Sequence, residues 1–564
     1  MNLRLPLPLT SPIPNEAYKV GLRSSGESHG VVLTKPHVVE LILDIAKYTP
    51  NRNLTKIKLL EPACGEGAFL VEATRRLLSS ADRFKIQVEE LEGCISAYDI
   101  DGGHVEMSRS RVASVLVDSG VTIKTARKIA ANWVSAGDFL LADLGRHFDC
   151  IVGNPPYIRT EQLSPLLLSE YRHRFSTWND RADIYIAFFE KGLLQLAPKG
   201  ILCYICADRW TVNQYGSALR ALVTENFSVK SYIDLKGASP FESDVSAYPS
   251  IVAIGNEKQG AVNIIKLADA SPEACGTVMG LINDTPETAN LGMATRHSVW
   301  FRGSEPWIVS SPDQLAFLRL LESKFEPIEN TAKVGIGVAT GKDRVFIVTE
   351  DADIEKDRLL PLVMRSDIRD GRVHYSGRFV INTFESGGGV IDLRKYPRLK
   401  RYFETYSEIV ADRNIARRNS VAWFRTIDRV YPEFVKTPKL LIPDIAGANE
   451  VAFDPGSYYP HHNLYHVSSD KWDIEVLGAL LSSRMALFFI WSYATKMRGG
   501  YLRFQAQYLR RIHLPLPESL PMPLRSKLRN AFRQRNFDEM DALAEIVYGV
   551  GKLPFFDFVD TRMR

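Results

Sequence analysis

The chain has 564 residues, of which 45% are hydrophobic and 24% charged, with a formal net charge of +4. This length fits about two to four domains, and the composition is that of a soluble globular protein rather than a disordered or collagenous one. The mild positive charge permits a polyanionic partner without requiring one, so local basic patches would have to bind it.

The six cysteines are sparse and lie mostly in apolar, strand-like contexts. That usage is typical of a reducing cytoplasm and argues against a disulfide scaffold. The N-terminus has no basic-then-apolar signal segment. The most apolar run, Val476 to Ala494, is interrupted by Ser482-Ser483-Arg484, which predicts a buried helix rather than a membrane span. We therefore predict a cytoplasmic protein with no membrane partner.

The first predicted element is a helix that follows an irregular start rich in Pro, Ser and Gly. Thr34 suits its N-cap and Pro36 its first turn, and apolar residues recur at helical spacing from Val38 to Ile45. The pattern fits a capped surface helix, or a helix end whose Thr34 hydroxyl faces a small-molecule ligand.

A strand at residues 57–60 then leads into a turn that contains Gly65 and Gly67, followed by a helix. This is the opening βα unit of a doubly wound sheet, and the glycines let the backbone approach a ligand closely. The turn lacks the three-glycine spacing of a dinucleotide site, and Glu61 and Glu66 would repel a pyrophosphate. A positively charged ligand suits these acids, which favours S-adenosylmethionine over NAD or ATP.

Acidic residues also follow the next two predicted strands. The strand at residues 94–98 ends in Asp99-Ile100-Asp101, where a carboxylate could hold a ribose diol. After the third strand, Asp138 could accept a hydrogen bond from an adenine amino group while Phe139 covers the ring. Each acid alone could be a solvated loop carboxylate, but three at successive strand ends predict one ligand site.

The fourth predicted strand runs into Asn154-Pro155-Pro156-Tyr157. Two prolines make this turn stiff and remove two N–H groups, so an asparagine oxygen and a proline carbonyl sit side by side with a tyrosine ring next to them. Such a turn can grip a planar group that carries an NH2, although an ordinary proline-rich turn is the simpler alternative. Further along, Phe241 lies on a loop between predicted strands, as a core plug or as a second stacking face opposite Tyr157.

From about Asp269 the strand–helix alternation gives way to short strands, Gly/Pro turns and scattered basic and aromatic residues. Between Glu475 and Glu518 there is no acid, and basic residues alternate with tyrosines and a phenylalanine. This composition suits contact with a nucleic-acid backbone and its bases, although a solvated basic face has the same pattern. We predict DNA contacts at Lys342, Arg498, Arg503, Arg510 and Arg511.

The run Tyr459-Pro460-His461-His462-Asn463, with His466, resembles a metal cluster but has no carboxylate or cysteine nearby in a recognisable ligand pattern. We predict no metal site.

Taken together, these motifs resemble the N6-adenine DNA methyltransferases of the gamma arrangement, the TaqI-like restriction–modification family. The resemblance is specific from about Thr34 to Ile254 and thins to scattered blocks beyond. It implies that S-adenosylmethionine is surrounded by Thr34, Glu61, Ala63, Asp99, Ile100, Asp138 and Phe139. We also assign two further residues to cofactor binding: Gly65, in the glycine turn, and Asn154, at the start of the proline turn. The resemblance also implies that the target adenine is held by Asn154, Pro155 and Tyr157, with Phe241 on its other face.

The prediction is a sequence-specific methyltransferase that transfers a methyl group to N6 of a flipped adenine in duplex DNA. We expect it to be a monomer, with a separately encoded restriction endonuclease that acts on the same DNA site as its partner. The alternatives are a methyltransferase of another planar amine (N4 of cytosine, RNA or protein glutamine) and a catalytically silent DNA-binding subunit. The expected fold is α/β: a doubly wound Rossmann-like methyltransferase domain at 1–270, a mixed α+β target-recognition domain at 271–520 and a C-terminal helical segment at 521–564.

Overall fold

The computed structural model describes residues 32–243, 248–284, 294–446, 450–494 and 502–550. The chain divides into two compact units, Met1–Leu315 and Ala316–Arg564. Each unit has its own sheets and its own clusters of buried apolar side chains.

The first unit alternates strands and helices. Its elements are α1 (Pro36–Ile45), β1 (Leu59–Glu61), α2 (Ala68–Phe84), β2 (Ile95–Asp99), α3 (Gly102–Asp118), α4 (Ile123–Trp133), β3 (Val134–Ala136), β4 (Phe148–Gly153), α5 (Pro165–Arg174), α6 (Tyr185–Leu194), β5 (Leu196–Ala207), α7 (Ser217–Asn226), β6 (Ser228–Asp234), β7 (Pro249–Gly255), β8 (Val262–Lys266), α8 (Pro272–Asp284) and β9 (Ala294–His297).

These nine strands form one mixed sheet in the order β3-β2-β1-β4-β5-β7-β6-β8-β9. Strands β1 to β5 are parallel, whereas β7 runs antiparallel to both β5 and β6. The strand order reverses between β1 and β4, and in doubly wound sheets ligands bind at the carboxyl ends of the strands at such a switch point. The α/β prediction is confirmed, and the sheet brings the ends of β1 and β4 side by side.

The central strands are buried on both faces, which explains their nearly continuous apolar sequences. Helix α1 differs from the prediction at its start. The residue before a proline prefers extended backbone, so Lys35, with φ −60° and ψ 144°, is the N-cap. The N-cap prediction for Thr34 is wrong, because Thr34 instead forms an antiparallel bridge with Phe241.

The second unit is a mixture of helices and short strands, as predicted. Its elements are α9 (Pro312–Lys324, which begins in the first unit), β10 (Glu326–Pro327), β11 (Lys333–Ile336), α10 (Asp343–Phe346), β12 (Ile347–Thr349), β13 (Leu359–Val363), β14 (Ile368–Arg369), β15 (Arg372–Val373), β16 (Arg378–Ile381), α11 (Pro397–Thr405), α12 (Ser407–Ala411), α13 (Asn414–Arg418), β17 (Lys439–Pro443), β18 (Ile445–Ala446), β19 (Ala452–Asp454), β20 (Tyr459–Pro460), β21 (Leu464–Ser468), α14 (Ile474–Ser482), α15 (Arg484–Tyr493), β22 (Leu502–Arg503), α16 (Ala506–Leu509), β23 (His513–Leu514), α17 (Met522–Gln534) and α18 (Phe537–Tyr548).

The apolar run near residue 480 forms two helices, α14 and α15, rather than the single helix that was predicted. Ser483 is extended, with ψ 161°, and separates them. Among the described residues no single helix is long and apolar enough to cross a membrane, and α14 and α15 meet that standard only as a pair bent by 61°.

Candidate active site

A cavity of about 200 Å³ lies at the carboxyl ends of β1, β2, β3 and β4. All nine residues that we predicted for cofactor binding line it. They are Thr34, Glu61, Ala63, Gly65, Asp99, Ile100, Asp138, Phe139 and Asn154.

The turn between β1 and α2 places backbone at the cavity wall. Gly65 and Gly67 have φ of 51° and 86°, which side-chain-bearing residues rarely adopt. A Cβ on Gly67 would lie only 2.9 Å from Ser108 Oγ, and this same hydroxyl donates to the Gly65 carbonyl at 2.8 Å. The glycines therefore allow both the turn and its close contact with α3.

Glu61 is the most deeply buried acid in the cavity wall, with 1% of its surface exposed. Its Oε2 has no hydrogen-bond partner among the described residues. Burial, and then the negative charge of Asp99, hold the pKa of Glu61 well above its ordinary value. A cation bound beside Glu61 would stabilise its ionised form.

Asp99 is anchored by the turns around it. Its Oδ2 accepts from the Gly65 N–H at 2.8 Å and its Oδ1 from the Asp101 N–H at 2.9 Å. His104 Nδ1 lies 3.4 Å from the same Oδ1. The next residue, Ile100, is 54% exposed although it is apolar, and it forms part of the cavity wall.

The loop after β3 carries Asp138 and Phe139. Asp138 Oδ1 accepts from the Leu140 N–H at 2.8 Å, and Asp138 Oδ2 accepts from the Tyr171 hydroxyl at 2.5 Å. Phe139 is buried and packs against Phe188, with ring centroids 5.3 Å apart.

Sequence reasoning missed one wall of the cavity, which includes Ile158, Tyr171 and Ile184. These residues belong to the segment 158–184 that follows the Asn-Pro-Pro-Tyr turn. No spacing in the sequence signals their position, because α5 is brought to the end of β3 only by tertiary packing.

Asn154 is held by its side-chain nitrogen. Its Nδ2 donates to the Val32 carbonyl at 2.9 Å and to Thr34 Oγ1 at 3.3 Å. Its Oδ1 is buried and has no hydrogen-bond partner among the described residues. The neighbouring Pro155 is buried as well. The turn thus presents an acceptor oxygen at the border of the cavity.

Tyr157 and Phe241 lie outside the cavity lining but contact each other. Their ring centroids are 6.4 Å apart and their planes meet edge to face, at 81°. Phe241 is 4% exposed, and its bridge to Thr34 fixes its loop beside the turn. The structure therefore brings Phe241 next to Tyr157, with the edge of one ring directed at the other.

The basic residues predicted to contact DNA lie in the second unit. Lys342 is the N-cap of α10. Arg510 forms an ion pair with Glu329 at 3.0 Å, and the Arg511 guanidinium lies 5.2 Å from the centre of the Tyr493 ring. Arg498 and the side chain of Arg503 lie outside the described residues.

The histidine pair at 461–462 does have a carboxylate nearby, which the sequence did not reveal. His461 Nε2 lies 3.1 Å from Asp343 Oδ2, and Asp343, His461 and His462 each have a potential ligand atom within 4.8 Å of the others. Asp343 Oδ1 also accepts from the Thr340 hydroxyl at 2.5 Å. These contacts tie the start of α10 to the residues after β20.

Two family models match the chain. Residues 72–241 match the Eco57I restriction-modification methylase family, and residues 392–516 match the TaqI-like C-terminal specificity domain. The class that the fold and these matches define is a restriction–modification methylase, in which the methylase match precedes the specificity-domain match along the chain.

Curated relatives resemble nearly the whole chain. It is 43% identical to the type II methyltransferase M.PaeR7I of Pseudomonas aeruginosa, over 93% of this chain and 92% of the relative. It is 41% identical to M.BstVI of Geobacillus stearothermophilus, over 93% of this chain and 96% of the relative. The chain belongs to the type II methyltransferases of restriction–modification systems, which confirms the resemblance to the TaqI-like family.

Solved structures agree on the fold. The Type IIL restriction-modification enzyme MmeI, solved in complex with DNA, superposes with a TM-score of 0.59 at 13% identity, over 92% of this chain and 74% of that one. The Type ISP enzyme LlaGI gives a TM-score of 0.52 at 13% identity, over 89% of this chain and 46% of that one. At this identity the similarity extends to the fold alone.

Proposed function

We propose that this protein transfers a methyl group from S-adenosylmethionine to N6 of an adenine in double-stranded DNA, at one short recognition sequence. The observation that carries the proposal is the buried Asn154 Oδ1, which has no partner among the described residues and borders the acid-lined cavity. An unpaired buried acceptor is costly, so we expect a ligand to donate to it.

The cavity residues fit the chemistry of the cofactor. The unpaired Glu61 Oε2 suits a positively charged group, while Asp99 would bind the ribose hydroxyls and Asp138 the adenine amino group, with Phe139 against the ring. When bound, S-adenosylmethionine supplies a methyl group on a positively charged sulfur, which is a strong electrophile.

Asn154 and Pro155 would prepare the target amine. The lone pair of an exocyclic adenine nitrogen is delocalised into the ring, which makes it a poor nucleophile. If Asn154 Oδ1 and the Pro155 carbonyl each accept one N–H, the nitrogen is drawn towards tetrahedral geometry and its lone pair is freed. The proton that the amine loses then passes to water. Positioning of this kind accounts for much of the acceleration without a dedicated base.

This geometry requires the adenine to leave the duplex. The Asn154 oxygen cannot reach an amine that is paired within the base stack, so the base must be flipped out at a cost of a few kcal/mol. Stacking on Tyr157 would offset part of this cost, and we propose that Phe241 supports the other side of the base.

The second unit would recognise the DNA sequence that is methylated. It contains the TaqI-like specificity match at residues 392–516, and we propose that Lys342, Arg498, Arg503, Arg510 and Arg511 contact the DNA backbone. A separately encoded endonuclease that cleaves the same site unless it is methylated would be the genetic partner. The enzyme would act as a monomer in the cytoplasm.

The test combines the purified protein, labelled S-adenosylmethionine and duplex DNA, followed by nucleoside analysis of the DNA and sequencing of methylated sites. N6-methyladenine at one short sequence is the expected product. Label in N4-methylcytosine, or only in RNA or protein, would assign the enzyme to another planar amine. Binding of the cofactor with no transfer to any of these substrates would indicate a silent DNA-binding subunit.

Asn154→Ala should bind S-adenosylmethionine and DNA but transfer no methyl group. A matched control is Asn226→Ala, because the Asn226 amide is exposed and donates to the Leu222 carbonyl of its own helix, away from the cavity lining. Full transfer by Asn154→Ala would refute the proposed role of the turn.

A further inference from the structure

We propose that Tyr171 is a positioning residue for the cofactor. Its hydroxyl fixes the Asp138 carboxylate that would receive the adenine amino group of S-adenosylmethionine. The inference rests on the proposed use of the cavity by that cofactor, and it assigns a cofactor role to the segment 158–184.

The contact between Tyr171 and Asp138 is direct, and it joins a buried tyrosine to a half-buried carboxylate. Tyr171 is 2% exposed, and its hydroxyl donates to Asp138 Oδ2 at 2.5 Å while the Leu140 N–H holds Oδ1 at 2.8 Å. A hydrogen bond to an ionised acceptor is about twice as strong as a neutral one. Because each oxygen accepts a hydrogen bond from a different element, the carboxylate is held in one orientation.

Tyr171 is itself held by the turn that follows α5. The ring of Trp178 packs against it edge to face, with centroids 5.7 Å apart. The turn is fastened to α6 by Glu190, whose carboxylate accepts from the backbone N–H and the hydroxyl of both Ser176 and Thr177, at 2.6 to 3.1 Å. This buried carboxylate therefore sets the position of the tyrosine indirectly.

The next residue of α6, Lys191, also stabilises the loop that carries Asp138. Lys191 is 3% exposed, and its Nζ donates to the Phe139 carbonyl at 2.5 Å and to the Ala142 carbonyl at 2.6 Å. Two consecutive residues, Glu190 and Lys191, thus support the loop by two routes. One route is direct, and the other passes through Tyr171.

The arrangement makes a prediction that ordinary packing does not. If Tyr171 acts through Asp138, its hydroxyl should matter most when the ligand has an amino group for Asp138 to bind. If the hydroxyl merely stabilises the fold, its loss should weaken all ligands of the cavity by the same factor.

The experiment uses Tyr171→Phe in the full chain, which keeps the ring against Trp178 and removes only the hydroxyl. The dissociation constant for S-adenosylmethionine should rise about 10-fold, while kcat at saturating cofactor stays within about twofold. The matched control is Tyr48→Phe, because the Tyr48 hydroxyl is buried without a hydrogen-bond partner among the described residues. The control should bind the cofactor as the parent protein does.

The second ligand is the S-adenosylmethionine analogue in which hydrogen replaces the 6-amino group. The parent protein should prefer the natural cofactor, and Tyr171→Phe should lose most of this preference. An unchanged preference, or unchanged affinity for the natural cofactor, would overturn the inference. Failure of the parent protein to bind S-adenosylmethionine would instead refute the proposed function.

Discussion

The side-chain nitrogen of Asn154 donates a hydrogen bond to the backbone carbonyl of Val32, at 2.9 Å. Because the nitrogen is occupied in this way, the amide oxygen is the atom left to meet a ligand. The segment before α1 therefore determines which end of the Asn154 amide is hydrogen-bonded and which end is left at the cavity border. A residue 122 positions earlier in the chain therefore orients the Asn154 side chain.

Thr34→Val should slow methyl transfer about fivefold, since one acceptor for Asn154 Nδ2 is lost and a net hydrogen bond contributes about 1 kcal/mol. Valine has a similar shape, so the backbone bridge to Phe241 should persist. Single-turnover rates at saturating cofactor and DNA measure the effect, with Thr34→Ser as the control that keeps the acceptor. Equal rates for the valine and serine variants would contradict the prediction.

The affinity for S-adenosylmethionine should rise with pH because of Glu61. Its pKa is raised in the free protein by burial and by Asp99, so at low pH the carboxyl is protonated. A bound cation favours the ionised form and lowers this pKa, and binding therefore releases a proton. Titration calorimetry between about pH 5.5 and about pH 7.5 should show tighter binding at the higher pH.

Glu61→Gln removes this titration, so its affinity should change much less over the same pH range. At the upper end of the pH range, the affinity of this variant for S-adenosylmethionine should also be lower than that of the parent protein. Parallel pH profiles for the two proteins would show that Glu61 is not the group that senses the cation.

Lys191 should make stability depend on pH on the alkaline side. Burial lowers its pKa to about 8, against the raising effect of Asp138. Between about pH 8 and about pH 10.4 the unfolded chain binds one more proton than the folded chain at this site, so the free energy of unfolding should rise with pH. The contribution is at most about 3 kcal/mol, since each unit of pKa shift corresponds to about 1.4 kcal/mol.

Urea unfolding of the parent protein and of Lys191→Met measures this contribution. The difference in unfolding free energy should move in favour of the parent protein as the pH rises, because the variant lacks the titrating amine. Lys128→Met, at a lysine whose side chain is 68% exposed, is the control and should follow the parent. A constant difference across the pH range would contradict the prediction.

Tyr157→Phe should retain methyl transfer within about twofold, because the Tyr157 hydroxyl has no hydrogen-bond partner among the described residues. Tyr157→Leu should slow it by about 10-fold or more, since stacking of a base on an aromatic ring contributes about 1–3 kcal/mol. Single-turnover rates of methyl transfer to the unmethylated recognition sequence distinguish the two variants. If Tyr157→Phe transferred the methyl group as slowly as Tyr157→Leu, the hydroxyl rather than the aromatic ring would be the part of Tyr157 that methyl transfer requires.

Lys342→Gln should weaken DNA binding at all sequences and reduce the slope of log affinity against log salt by about 1, as expected for one lost phosphate contact. Arg510→Gln should have a smaller effect, because Glu329 already neutralises part of its charge. Fluorescence anisotropy at several salt concentrations gives both slopes. An unchanged slope for Lys342→Gln would place this lysine away from the DNA.

Much of the fold and of the cavity lining was predictable because the signals are local. A buried strand, a glycine turn and an acid at the strand end occur within a few residues, and parallel strands bring such ends to one edge of the sheet. The prediction of Thr34 as the N-cap was wrong for a local reason as well. Pro36 keeps Lys35 extended, so the helix starts one residue later than predicted.

The amino-acid sequence by itself determined which functional groups lie at the ends of the strands: Glu61, Asp99, Asp138 and Asn154 each lie at or just after the carboxyl end of one of the parallel strands β1 to β4. Only the tertiary structure decided how these groups are oriented and shielded. The Tyr171 bond to Asp138, the Lys191 bonds to the same loop and the approach of Asp343 to His461 all join elements far apart in the chain. Burial sets the pKa of Glu61. Such contacts depend on how helices pack on the sheet, and no short pattern of residues encodes that packing.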